Sequence, residues 1–343
     1  MGSKISLYDA LQTSLNEQLR QPCGKDTAGR RALTRKYTAI GRKGTMERIV
    51  ECVPNISEGR RKDVIEAVVD EVRSTPGVTL LDYSSDESHN RSVITFIGEP
   101  NAVVNAAVKL AKKAAELIDL TKHTGEHPRM GAVDVIPLIP IRGMTGKETI
   151  ELSKKLGERV CAEADMPVFL YEHSASAPHR ANLAAIRKGQ FEGMAEKVRQ
   201  EEWEPDFGGR RVNPTAGVVA VGCRMPLIAF NINLSTSDVS IASKIAKIIR
   251  RSSGGLDCVK ALGVMLEDRN LAQVSINMTD FSRTPLYRVL EFVRFEAARY
   301  GVQVTGTEII GLTPMRALVD CAEYYLQIES FDADKQVLES YIQ

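Results

Sequence analysis

The chain has 343 residues, a formal net charge of +1 and 43% hydrophobic residues, a size that fits one large domain or two medium ones. The near-neutral balance excludes binding to nucleic acid or membrane through bulk charge alone, and no apolar run approaches the roughly 20 residues that span a bilayer. Six cysteines without a CxxC pair argue against a disulfide framework and a structural zinc site. They favour a reducing compartment, so we expect a cytoplasmic protein.

The first 45 residues differ from the rest of the chain. They carry nine basic residues against three acidic ones and lack the apolar density that begins near Met46. We therefore expect residues 1–45 to be a basic N-terminal extension. A transit-like leader, an upstream start and an artificial addition all fit this composition.

From Met46 onward, strand and helix patterns alternate. Runs of β-branched and aromatic residues predict strands, and apolar residues at helical spacing, such as Val64, Val68 and Val72, predict helices. The order of the first six elements is strand, helix, strand, strand, helix, strand, as in the ferredoxin-like unit. The predicted elements are strands at 49–53, 78–83, 92–98, 133–139 and 168–171 and helices at 60–74, 101–119 and 147–163.

Residues 172–216 do not continue this alternation of strand and helix patterns, and they contain several prolines and Trp203, the only tryptophan. They predict a long connection, which in a compact protein is usually functional.

A second cycle of the same kind follows the connection, and it predicts a second αβ unit. The predicted elements are strands at 217–221, 227–233, 259–266 and 272–278, a last strand from Val302, and helices at 238–251, 286–300 and 315–327, with a helical tail. We expect an α/β (α+β) protein of two ferredoxin-like-order subdomains, 46–216 with the connection and 217–330, before a tail at 331–343. Clefts between domains are preferred places for small ligands.

The densest group of chemically active side chains is the loop from His123 to Gly131. Glycines near both ends allow sharp turns, and Pro128 forces His127 into an extended conformation. An imidazole exchanges protons near pH 7, which suits general acid–base catalysis. A structural histidine bonded to the backbone is the alternative. A metal site would need both histidines on one helix face, which Gly125 and Pro128 disfavour.

Arginines near strand ends suggest an anionic substrate, because guanidinium binds carboxylate bidentately. Arg91, Arg142 and the pair Arg210–Arg211 hold such positions, although an exposed arginine is often only a solvated surface residue. Residues 208–217 offer free backbone N–H groups but neither a P-loop nor a GxGxxG pattern. The residues alone thus predict a two-lobed α/β protein with a histidine-centred cleft for an anionic small molecule.

Several ordered motifs resemble the glutamate formimidoyltransferase (formiminotransferase) family. The motifs lie at 50–59, 90–91, 125–131, 203–208, 229–234 and 270–275. The resemblance runs from about residue 47 to about residue 328 and implies two αβ subdomains with a folate-binding cleft between them. Because the sequence ends at Gln343, it implies the stand-alone form, resembling the formiminotransferase part of formimidoyltransferase-cyclodeaminase.

The resemblance implies transfer of the formimino group from N-formimino-L-glutamate to N5 of tetrahydrofolate, as in histidine degradation. Tetrahydrofolate would be a co-substrate, and no metal is implied. The expected partners are these small molecules, without nucleic acid or membrane, and a homodimer is a compatible assembly. Formyl transfer between 5-formyltetrahydrofolate and glutamate is one alternative, and a non-catalytic folate-binding protein is another.

The resemblance also implies roles for particular residues. His127 matches the family's catalytic histidine in Gly-Glu-His-Pro-Arg and would pass a proton from the incoming to the departing nitrogen. The implied folate-binding segment consists of Gly208, Gly209, Arg210, Arg211, Val212, Asn213, Pro214, Thr215, Ala216 and Gly217. The residues expected to bind substrate or support the site are Asn90, Arg91, His123, Glu126, Arg129, Asp134 and Arg142.

Overall fold

The structure is a computed structural model that describes residues 48–341. The predicted basic extension, residues 1–45, lies outside the described residues, as do residues 342–343 of the predicted tail.

The first subdomain builds one mixed sheet with helices on both faces. Its strands are β1 Ile49–Cys52, β2 Asn55–Ile56, β3 Val78–Asp86, β4 Arg91–Gly98, β5 Val133–Arg142, β6 Val168–Leu170 and β7 Val219–Cys223. Its helices are α1 Lys62–Arg73, α2 Pro100–Leu117, α3 Gly146–Ala164, α4 Leu183–Arg187 and α5 Gln190–Lys197.

The strands of this sheet lie in the order β3–β4–β1/β2–β5–β7–β6. β1 and β2 are two pieces of one row, because both pair antiparallel with β4 on one side and with β5 on the other. The first four rows have the 4-1-3-2 arrangement of a ferredoxin-like unit, which confirms the predicted order. β7 and β6 extend the sheet in parallel beyond β5.

The structure corrects two points of the predicted organisation. The strand predicted at 217–221 exists as β7, but its assignment to the second cycle is wrong, since β7 pairs with β5 and β6. Residues 172–216 contain α4 and α5 in addition to irregular chain. Each helix is too short to show a clear helical period in the sequence.

Apolar clusters cover both faces of the central strands. Helices α1, α2 and α3 pack on one face around residues such as Val68, Leu110 and Leu156. Helices α4 and α5 cover the other face with Ile186 and Met194. β5 is therefore buried on both sides, which explains its nearly continuous apolar sequence.

The second subdomain consists of β8 Ile228–Leu234, α6 Val239–Ile249, β9 Val259–Leu266, β10 Leu271–Met278, α7 Leu286–Ala298, β11 Val304–Ile310, α8 Met315–Leu326 and α9 Ala333–Gln336. Its strands form an antiparallel sheet in the order β11–β8–β10–β9, again the 4-1-3-2 arrangement. Helices α6 and α7 contribute to its separate apolar core. No helix within residues 48–341 is long and apolar enough to cross a membrane.

Candidate active site

One end of the first sheet gathers almost all the predicted site residues. β4 and β5 both begin there, β3 ends there at Asp86, and a backbone bridge joins Gly131 to Gly217 at the same end. Arg142 is the exception, because it lies at the last position of β5. Ten residues of strand span about 30 Å, so the structure does not bring Arg142 to the histidine loop.

Asn90 ties together the loops at this end. It is buried and adopts φ 48°, a left-handed conformation that asparagine tolerates better than most residues. Its Oδ1 accepts a hydrogen bond from the Gly59 N–H at 2.8 Å, and its Nδ2 donates to the Thr124 carbonyl at 2.9 Å. Asn90 therefore holds the histidine loop against the loop before α1.

The two histidines of the loop have different surroundings. The ring of His123 is held through both nitrogens, because Nε2 lies 3.0 Å from the Asn90 carbonyl and Nδ1 accepts from Arg129 Nε at 3.2 Å. Burial lowers the pKa of His123, and the positive charge of Arg129 adds to this effect. With both nitrogens occupied, His123 is suited to support the loop rather than to exchange a proton with a ligand.

Arg129 is buried and already paired. Its guanidinium donates to both carboxylate oxygens of Glu192, at 2.9 and 2.6 Å, and to Gln190 Oε1 at 3.1 Å. The pair joins the histidine loop to α5, a helix that the sequence pattern did not predict. Gly189, which is the N-cap of this short helix, is a local signal that could have marked its start.

A second buried ion pair stands beside the loop. Asp134 is 1% exposed, and its Oδ1 accepts the Met130 N–H at 3.0 Å. The same carboxylate forms an ion pair with Arg187 of α4. Sequence reasoning missed Arg187, because it lies in the stretch taken for an irregular connection. The N-cap Asn182, whose Oδ1 accepts the Ala184 N–H, followed by helix-forming residues, was the available signal.

His127 is only partly exposed, and its Nε2 is buried without a hydrogen-bond partner. Burial lowers the pKa of His127 to about 3, and the positive charges of Arg91 and Arg187 reinforce the shift. The imidazole is therefore neutral at pH 7, and its Nε2 is unpaired although the surrounding protein covers it. A buried polar atom left unpaired is costly and often has a functional reason.

The lowered pKa makes His127 a source of acid sensitivity. In the unfolded chain a histidine binds a proton below about pH 6.5, whereas folded His127 resists protonation down to about pH 3. Because of His127, the free energy of unfolding therefore falls as the pH drops below about 6.5. We expect His127→Asn to gain about 1–2 kcal/mol in unfolding free energy relative to wild type on going from pH 7.5 to pH 5.

Urea unfolding of both proteins at the two pH values measures this difference. His173→Asn is the matched control, because His173 is exposed and follows β6 at the opposite end of the sheet. An equal stability difference between His127→Asn and wild type at both pH values would contradict the assigned environment.

A cavity of about 430 Å³ opens beside His123. It lies at the N-terminus of α1, where burial would raise the pKa of Glu58 but the N–H groups of Arg60 and Arg61 and the Arg61 guanidinium lower it. Its lining comes from the first subdomain alone and comprises Glu58, Arg60, Arg61, Asn90, Leu117, Ile118, Asp119, Lys122 and His123. His127 is not in this lining, and the cleft expected between the subdomains stays a prediction.

The segment 208–217 has an exposed first part and an anchored second part. Gly208 and Gly209 adopt positive φ values of 99° and 67°. Arg210 pairs with Glu204 at 2.9 Å, and Arg211 pairs with Asp165 at 2.7 Å. These arginines are exposed and could exchange their carboxylate partners for a ligand.

The second part of this segment is fastened to the histidine loop. Thr215 accepts the Leu120 N–H at 2.8 Å, and Ala216 accepts the Ala132 N–H at 2.8 Å. Ala216 is fully buried and Gly217 adopts φ 73°. A ligand held by residues 215–217 would thus lie on a segment that is hydrogen-bonded to the chain at both ends of the loop of His127.

Comparison with known proteins gives matches over both subdomains. Residues 49–224 match the profile described as "Formiminotransferase domain, N-terminal subdomain", and residues 229–340 match "Formiminotransferase domain". The chain belongs to the formiminotransferase family. The two matches meet between β7 and β8, so the family's N-terminal subdomain includes β7.

Relatives in this family carry consistent names. Glutamate formimidoyltransferase of Streptococcus pyogenes serotype M1 is 58% identical over 297 residues, which cover 87% of this chain and 99% of the relative. Glutamate formimidoyltransferase of Thermoplasma acidophilum is 47% identical, over 83% and 94% of the two chains. Formimidoyltransferase-cyclodeaminase of Mus musculus is 44% identical, and this chain matches 53% of its length.

No group of three or more His, Cys, Asp or Glu side chains is arranged to hold a metal ion within the part of the chain that the structure describes.

Proposed function

We propose that this protein is an enzyme that transfers the formimino group from N-formimino-L-glutamate to N5 of tetrahydrofolate, in histidine degradation. The products are 5-formiminotetrahydrofolate and L-glutamate. The observation that carries the proposal is the free, buried Nε2 of His127, in a family whose relatives at 58% and 47% identity are named for this transfer.

The chemistry of the transfer suits a neutral imidazole. N5 attacks the formimino carbon and becomes cationic, so it must lose a proton, and the departing glutamate nitrogen must gain one. His127 is unprotonated before the reaction and has an unpaired nitrogen, so it can accept the first proton. With a pKa of about 3 it is a weak base in the free protein, and it becomes an effective one only when bound substrate offsets the nearby positive charges. General acid–base assistance of this kind contributes about 10²- to 10⁴-fold in rate.

The charged residues around the loop suit substrates with carboxylates. Arg91 is anchored by Asn55, whose Oδ1 accepts from its Nε at 3.1 Å, and its charge acts on His127. Arg210 and Arg211 stand on the proposed folate-binding segment. A substrate carboxylate near Arg91 would partly offset the positive field and make His127 a stronger base once substrate is bound.

Asp134 and Glu126, which were also predicted for the site, have different partners. The Asp134 carboxylate is engaged by Arg187 and Met130, so we propose that it orients Arg187 rather than the imidazole. The backbone N–H of Glu126 donates to the Ser88 carbonyl at 3.2 Å, and its exposed side chain is free to support the cationic amidine. The cytoplasmic location, the homodimer and the folate cleft between subdomains remain proposals.

An absorbance assay tests the proposed reaction directly. Purified protein is mixed with tetrahydrofolate and formiminoglutamate, and the product is converted by acid to methenyltetrahydrofolate. We expect enzyme-dependent formation of methenyltetrahydrofolate and an equal amount of released glutamate. Absence of both would refute the transfer.

The same assay separates the alternatives. Replacing the substrates by 5-formyltetrahydrofolate and glutamate tests formyl transfer, which differs from formimino transfer by one O/NH exchange. Tight binding of tetrahydrofolate without glutamate release from formiminoglutamate would indicate the non-catalytic folate-binding protein.

A further inference from the structure

A second histidine stands beside His127 on a neighbouring loop. The ring of His89, in the turn between β3 and β4, lies with its centroid 6.4 Å from the centroid of the His127 ring, at an interplanar angle of 61°. The two rings are therefore near neighbours at the same end of the sheet. His89 was not among the residues predicted for the site.

The position of His89 is fixed by Asp86 at the end of β3. The Asp86 carboxylate accepts the backbone N–H of His89 at 2.8 Å and lies 2.8 Å from the ring Nδ1. The backbone bond from His89 is the main cause that lowers the pKa of Asp86, so the carboxylate stays ionised. Donation from Nδ1 to this carboxylate leaves Nε2 as the nitrogen that can exchange a proton.

The nearest charged neighbours of the two rings have opposite signs. His127 is partly buried next to the guanidiniums of Arg91 and Arg187, which disfavours its protonated form. His89 is about half exposed, and its Nδ1 lies 2.8 Å from the Asp86 carboxylate. Two neighbouring residues whose charged neighbours differ in this way can take different acid and base roles.

We propose that His89, oriented by Asp86, is a second acid–base residue of the transfer and protonates the departing glutamate nitrogen. The inference rests on the proposed function and assigns its two proton steps to two residues. N5 forms a bond to the formimino carbon, and His127 removes the N5 proton. The carbon–nitrogen bond to glutamate then breaks as His89 delivers its proton to that nitrogen. Transfer of the proton from His127 to His89, directly or through water, restores both rings.

The charged groups around His89 come from its own turn and from the neighbouring loops. Asp86 and Glu87 belong to its own turn, and Arg60 reaches the turn from the loop before α1 by donating to the Glu87 carbonyl at 2.8 Å. The histidine loop contributes His127 and Glu126, whose N–H donates to Ser88. Arg91 follows the turn at the start of β4.

The test is His89→Gln, with His173→Gln as the control because that exposed histidine lies at the opposite end of the sheet. We expect kcat to fall about 10- to 100-fold with KM changed less than about threefold, while the control keeps wild-type kinetics. Asp86→Asn should lower kcat in the same direction but less. The kcat–pH profile of His89→Gln should lose the limb on which the protonated acid is titrated.

A second readout separates proton donation from a structural effect. With a formimino donor whose departing amine is less basic, the leaving group needs less protonation, so the loss in His89→Gln should shrink. Wild-type kcat in His89→Gln, or an equal loss with both donors, would overturn the inference while leaving the transfer itself intact. Failure of the wild-type protein to release glutamate would instead overturn the proposed function and, with it, this assignment.

Discussion

Replacing His127 by asparagine is expected to lower kcat for formimino transfer by about 10²- to 10⁴-fold, with little change in tetrahydrofolate binding. Asparagine is polar but smaller than histidine, and its amide cannot accept the N5 proton. The change removes a buried, unpaired nitrogen, so it should not weaken folding at neutral pH. The assay with tetrahydrofolate and formiminoglutamate measures kcat, and a binding titration measures the tetrahydrofolate affinity.

A comparison with His123 sharpens the assignment. Both histidines lie in one loop, but the His123 ring is held by Asn90 and Arg129 whereas Nε2 of His127 has no partner. His123→Asn should therefore act through the loop and reduce stability and substrate affinity together. Turnover of His127→Asn at the wild-type rate would show that another group removes the N5 proton.

The sequence predicts the regular part of the fold well, and the reason is periodicity. Long helices and strands repeat their apolar pattern often enough to be read, so the ferredoxin-like order of both subdomains follows from it. Two features of the fold do not follow from the sequence pattern. Helices α4 and α5 are too short to show a helical period, and the strand sequence of β7 does not reveal which sheet it joins. Strand pairing depends on tertiary contacts, and a local sequence pattern carries no information about them.

The site is predictable where its residues are adjacent in sequence and not where they meet only in space. His127 and Asn90 stand in short sequence motifs, so the sequence alone marks them as candidates. Glu192 and Arg187 lie 63 and 53 residues beyond the partners they bind, so spacing gave no sign of them. Arg142 has the sequence pattern of a strand-end arginine, but that pattern does not say which end of the sheet faces the site.

The backbone bridge behind the histidine loop leaves no space for a side chain at Gly131. A Cβ there would lie 2.0 Å from the Val218 carbonyl oxygen and 2.5 Å from that of Val133, both backbone atoms. The neighbouring bonds from Val218 N–H to Met130 and from Ala132 N–H to Ala216 would have to break or shift. We expect Gly131→Ala to lower the free energy of unfolding by about 3 kcal/mol or more.

The matched control is Gly193→Ala, the same substitution inside α5, where a Cβ meets nothing within 4 Å. Alanine favours the helix, so this variant should be more stable than wild type by up to about 1 kcal/mol. Urea unfolding at neutral pH measures both changes. Because the same bridge holds residues 213–217 against the loop of His127, Gly131→Ala should also reduce kcat at temperatures where it remains folded. Wild-type stability in Gly131→Ala would mean that the loop and residues 213–217 are not packed as described, and the anchoring proposed for the folate-binding segment would fail with it.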